Sequence, residues 1–165
     1  MSMTHYMELL AVNQPWNLLI FMAGPVILAE TLAVTELYLL LTRKLDGPVA
    51  LLNRGAGVLV GVYFIGIIAY LMINAVIPLS TGGGWRGWID MTAVGFYLLG
   101  GLPMIGIALL ETGQLAGGRS REDKLKLHAG FVAAFLVLAH IAMIFGMMDP
   151  TLGGWVAPVS GMHHG

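Results

Sequence analysis

Cysteine is absent from the 165 residues, which removes disulfides, thiolate metal sites, iron–sulfur clusters and thiol nucleophiles. Charge is nearly as scarce. Asp, Glu, Lys and Arg make up 10% of the chain, against roughly a quarter in a soluble domain. A net charge of −1 built from so few groups leaves no basic footprint for nucleic acid. Neither His-Glu-x-x-His nor Gly-x-Ser-x-Gly occurs, which disfavours a hydrolase. The glycines of Thr81-Gly82-Gly83-Gly84-Trp85 precede no Gly-Lys-Ser/Thr and follow no strand pattern, so they form a turn and not a phosphate loop. The segment before Trp16 holds no Lys or Arg, so the start of the chain does not resemble a secretory signal, and the first hydrophobic segment is expected to be retained.

What remains is apolar: 58% of the residues are hydrophobic. Four long runs stand out, approximately residues 16–42, 55–79, 88–112 and 127–148. Each is long enough for a helix, rising about 1.5 Å per residue, to cross a hydrocarbon core of about 30 Å. Helices are required because lipid offers no partner to an open backbone amide. The expected fold is an all-α integral membrane protein, a bundle of four transmembrane helices forming a single membrane domain over residues 1–165, with short tails at 1–15 and 149–165. Pro25 and Pro103 fall inside spans one and three, where each should kink its helix and free a carbonyl. Small-residue pairs at Gly57/Gly61, Gly130/Ala134 and Ala142/Gly146 predict close helix packing.

Basic residues set the expected orientation. Arg43, Lys44 and Arg54 belong to the first connection and Arg119, Arg121, Lys124 and Lys126 to the third, leaving only Arg86 elsewhere. The positive-inside rule then puts those connections in the cytoplasm and both termini outside, as in a bacterial inner-membrane protein with periplasmic tails. Trp16, Trp85, Trp88 and Trp155 all fall on that outer side, as an interfacial aromatic belt requires.

Polar groups within spans are costly and therefore candidates for function. Glu30 lies near the middle of span one and His140 slightly outward of the middle of span four. Their heights differ by only about 6 Å, which predicts a coupled pair across the bundle. Glu36, Glu111 and His128 share the inner boundary, while Asn74 and Asp90 lie towards the outer ends of spans two and three. For the ionisable groups near either boundary the simplest expectation is a side chain that snorkels to water.

His140, Met143 and Met147 follow at i, i+3 and i+7, one stripe on one helix face. Imidazole and thioether together suit copper, Cu(I) above all. Both tails repeat that chemistry, in Met3, His5 and Met7 at one end and Met162, His163 and His164 at the other. The leading functional expectation is therefore an inner-membrane accessory protein that binds a transition metal, copper first, on its outer side and supports metal handling or a redox complex. A small permease or transporter subunit moving protons or cations through Glu30, Glu36, Glu111 and His128 is the alternative. A single haem b held by His140 and Met72 is a further one, as is a structural subunit of a membrane complex. The lipid bilayer is the expected environment, with other membrane subunits or further copies of the chain as partners.

Overall fold

The computed structural model describes residues 2–157. A short amphipathic helix, α1 (His5–Ala11), precedes four helices long and apolar enough to cross a membrane: α2 (Trp16–Thr42), α3 (Pro48–Gly82), α4 (Gly87–Glu111) and α5 (Arg121–Met147). Among the described residues there is no strand. The spans go round in chain order, α2 against α3, α3 against α4, α4 against α5, and α5 back onto α2. Short connections between long helices enforce this antiparallel neighbour packing. The first and third connections, with the basic residues, lie at one end of the bundle. Residues 2–15, residues 148–157 and the second connection lie at the other.

Two spans begin earlier than their hydropathy suggests. Gly47, at φ +114°, breaks the first connection and Pro48 opens α3 at a position where its missing N–H costs nothing. Ser120 caps α5 by accepting from the Asp123 amide at 3.1 Å, with Glu122 and Asp123 in the first turn. Arg54 is consequently a helical residue, one turn before Gly57.

Pro25 disturbs α2 as expected, and its consequences can be followed atom by atom. A π-helical turn, Leu19–Ala23, precedes it, with the Gly24 amide donating to Leu19 O. Proline has no N–H for the carbonyls four and five residues back, Phe21 and Ile20. The Tyr97 hydroxyl donates to Phe21 O at 2.7 Å, and the Tyr63 hydroxyl donates to Ile20 O at 2.8 Å. The carbonyls that Pro25 leaves open are thus taken up by tyrosine hydroxyls from two neighbouring spans. A second π-helical turn, Met72–Val76, precedes Pro78 in α3 in the same way. Pro103, in contrast, lies within a continuous α4.

The small-residue expectation holds for one pair and changes for the others. A Cβ on Gly61 would land on that of Ala108, and one on Gly57 would come within 2.9 Å of Ile107, so these two glycines bring α3 against α4. Gly146 instead receives the ring of Tyr6, which comes from α1 and not from another span. Gly130 and Ala134 are exposed, and nothing lies within 4 Å of a Cβ on Gly130. That pair faces outward because α5 is apolar on several sides, and small size alone does not say which side meets a neighbour.

Candidate functional site

Polar side chains converge at two places, one at each end of the bundle. At the basic-loop end all four spans contribute. Glu36 of α2 and His128 of α5 are 3% and 1% exposed, so they are enclosed by the bundle. Glu36 Oε1 and His128 Nδ1 are in direct contact. The other imidazole nitrogen, Nε2, makes no hydrogen bond and lies 3.5 Å from Oε1 of Glu111, at the end of α4. Glu111 in turn meets Arg54 of α3, whose Nε is 3.7 Å from its carboxylate and whose Nη2 donates to its carbonyl at 3.3 Å.

The backbone of α3 makes room for this cluster. Gly57 sits where a Cβ would stand 3.1 Å from His128 Nε2 and 3.3 Å from Glu111 Cγ. Beside it Asn53 donates to the Thr35 hydroxyl at 2.8 Å, and both are buried. The Thr35 hydroxyl donates in turn to Thr31 O at 2.7 Å. Arg54 and Glu111 open onto a cavity of about 400 Å³ at this end of the bundle, lined also by Asp46, Arg121 and Lys124. Towards the opposite end the cluster is closed by an apolar layer containing Leu32, Val60, Phe64, Met104 and Ile107.

At the terminus-bearing end the chain start is clamped to the bundle. Asp90, in the first turn of α4, is fully buried and accepts from the His5 amide at 2.6 Å and the Arg86 amide at 3.1 Å, while His5 Nδ1 is 2.5 Å from its other oxygen. Arg86 donates to Met3 O and, at 2.6 Å, to Glu8. The Thr4 hydroxyl donates to Gly146 O at 2.6 Å, and that of Ser2 to Asp149 at 2.6 Å. Hydrogen bonds from Ser2 and Thr151 hold the Asp149 carboxyl down to about 2, and burial pushes the Tyr6 phenol up to about 12.

Depth along the spans, read from the sequence, grouped Glu36, Glu111 and His128 on one level, and the structure brings all three together. The expectation that boundary groups reach water holds only for Glu111, whose side chain is 22% exposed. Glu36, His128 and Asp90 turn inward instead, because each finds a polar partner inside and burial without one would be expensive. Glu30 and His140 do line one cavity, of about 300 Å³ between α2 and α5, yet both are exposed on the sides of their helices and no ion pair joins them among the described residues.

Met143 lines that cavity too, whereas Met147 is 63% exposed and lies outside it. Met72 lies on the surface of α3 at 37% exposure and is not part of the cavity that His140 borders. Met3 is 47% exposed, Met7 packs half-buried against the core, and His5 is taken up by Asp90. Met162, His163 and His164 lie outside the described residues. Among the described residues no group of three or more His, Asp or Glu side chains is arranged to hold a metal ion.

Several site residues had no distinctive signal in the sequence. Asn53 and Thr35 are ordinary polar residues near span ends, and Gly57 is marked there only as a packing glycine. Arg54 counts in the sequence as a loop charge.

No curated protein and no solved structure matches the chain. A family model does, over residues 1–162, and its description is a family of unknown function, DUF6803. The chain belongs to that family.

Proposed function

We propose that this chain is a proton-handling membrane protein in which Glu36 and His128 take up and release a proton in exchange with the basic-loop end. The observation that carries the reading is their contact inside the bundle, both side chains being almost inaccessible. A carboxylate oxygen and an imidazole nitrogen cannot face each other with lone pairs alone, so the pairing requires one of the two groups to carry a proton. The unpartnered Nε2 is the place where a second proton enters or leaves.

The route outward is short. From Nε2 a proton reaches Glu111 over 3.5 Å, directly or through one water, and Glu111 meets the cavity where Arg54 and Lys124 stand. In the other direction the apolar layer offers no polar step. Loading is therefore one-sided in this conformation, and any onward transfer requires that layer to open. With the basic connections assigned to the cytoplasm, the site exchanges with the cytoplasm and both termini are periplasmic. The transported or sensing partner would act through the same layer, as a subunit alongside this one.

Purified protein in lipid nanodiscs, given a small alkaline-to-acid step with a pH-sensitive dye in solution, tests the proposal. Wild type should take up a proton that Glu36→Gln and His128→Asn do not, with helicity and thermal midpoint monitored in parallel. Equal uptake by folded wild type and both variants would overturn it. A periplasm-dependent reporter joined after Gly165 checks the orientation, and activity from a cytoplasm-dependent reporter would reverse the side from which the site loads.

A further inference from the structure

Glu30 and His140 are left over once the relay is accounted for. They lie at mid-span on facing helices and border the same cavity of about 300 Å³. His140 Nδ1 is 2.6 Å from Leu136 O. A carbonyl cannot donate, so Nδ1 carries the proton and Nε2 is left as a bare acceptor. Glu30 makes no hydrogen bond or ion pair among the described residues. Both groups face hydrocarbon, which supplies no partner, and an unsatisfied polar group there costs several kcal/mol. Something that enters from the bilayer should satisfy them together.

The rest of the cavity says what kind of molecule that is. Its walls include the rings of Phe21, Tyr97 and Phe135, with Tyr6 of the docked α1 and Pro25 of α2 beside them. The Tyr97 hydroxyl is already spent on Phe21 O, so the wall it presents is aromatic. A metal ion would occupy a small fraction of this space. A single six-membered ring with short substituents fits the volume, since small-molecule sites begin at about 300 Å³ and are apolar with few polar groups. Hydroxyls at opposite edges of such a ring would reach the two helices, one donating to His140 Nε2 and the other to the Glu30 carboxylate.

We propose that the cavity between α2 and α5 binds a lipid-soluble dihydroxy-aromatic ring of the quinol class, entering sideways from the membrane and held by Glu30 and His140. Binding alone is proposed, without electron transfer. The site stands on the opposite side of the apolar layer from Glu36 and His128, and it does not depend on the proton relay.

A short-chain benzoquinol titrated into the full-length protein in nanodiscs, with empty nanodiscs subtracted for partitioning, is the test. Saturable binding near one equivalent is expected, and the ¹⁵N resonance of His140 Nε2 should shift on saturation. His140→Ala and Glu30→Ala should each weaken binding about tenfold or more, equivalent to about 1.4 kcal/mol. Ala139→Phe should block the cavity while leaving both polar groups in place. Because His140 and Glu30 are exposed and make no stabilising ion pair among the described residues, His140→Ala and Glu30→Ala should not lower the thermal midpoint. Binding that does not saturate, or that survives all three folded variants, overturns the proposal. So does tight Cu(I) binding dependent on His140 and Met143 without any saturable quinol site, which would return the cavity to a metal. Proton uptake in Glu36→Gln equal to wild type, with quinol binding intact, would overturn the relay and leave this inference standing by itself.

Discussion

Replacing Glu36 and His128 by leucine, singly and together, separates what the pair does for stability from what it does with protons. Each side chain is almost wholly enclosed, at 3% and 1% exposure. Removing one partner leaves the other buried without its counterpart, a change that typically costs about 3–5 kcal/mol. Removing both leaves two apolar side chains of similar bulk, and such replacements are often neutral or stabilising by about 1–4 kcal/mol. The singles should therefore sum to roughly 6–10 kcal/mol and the double variant should fall short of that sum by about 5 kcal/mol or more. Glu111 changes the arithmetic little, since its side chain keeps partial access to water at 22% exposure. The measurement is reversible unfolding in mixed micelles, following helicity as the fraction of denaturing detergent rises. Two singles that each cost under about 1 kcal/mol and add without coupling would refute the idea that these groups meet as a buried ionisable pair. The proton assay supplies the second half. Wild type should take up a proton that the stable double leucine variant does not, a difference a purely structural pair would not produce.

Gly57→Ala should destabilise the chain by about 1–3 kcal/mol, because its methyl group meets Ile107, His128 and Glu111 at 2.9–3.3 Å, and unfolding in the same micelles reads it. Tyr97→Phe strands the Phe21 carbonyl and should cost about 1–3 kcal/mol; Pro25→Ala restores an amide to that turn, so the two changes combined should cost clearly less than their sum. The anchor between Ser2 and Asp149 has a signed pH dependence. Its carboxyl is held down to about 2 from an ordinary 3.8, so the contribution is complete above 3.8 and is lost as pH falls towards 2. Amide exchange at the chain start should quicken over that window in wild type and not in Asp149→Asn, whose amide does not titrate.

The four spans were legible from composition because a bilayer imposes a one-dimensional rule: enough consecutive apolar residues must be present, and the backbone must satisfy itself. Depth was legible for the same reason, since rise along a helix is fixed. That is how Glu36, Glu111 and His128 fell on one level before any fold was known. The span starts at Pro48 and Ser120 were also written locally, in a helix-opening proline and a serine cap, although hydropathy alone hides them.

Rotation about the helix axis was not legible. Glu30 and Glu36 are six residues apart, which turns one about 120° from the other, and α2 is apolar on every side, so nothing in the sequence tells which carboxyl faces the bundle. Depth favoured Glu30 as the buried acid. Packing chose Glu36, because α5 brings His128 to its side of the helix. The same freedom separated Gly57 and Gly61, which meet α4, from Gly130 and Ala134, which are exposed. Tyr97 closing the carbonyl opened by Pro25, and Asp90 drawing in His5 across 85 positions of sequence, are likewise decisions of tertiary structure. A hydrogen bond needs a direction and a partner within about 3 Å, and in this chain those are set only once four interchangeable apolar faces have been assigned to their neighbours.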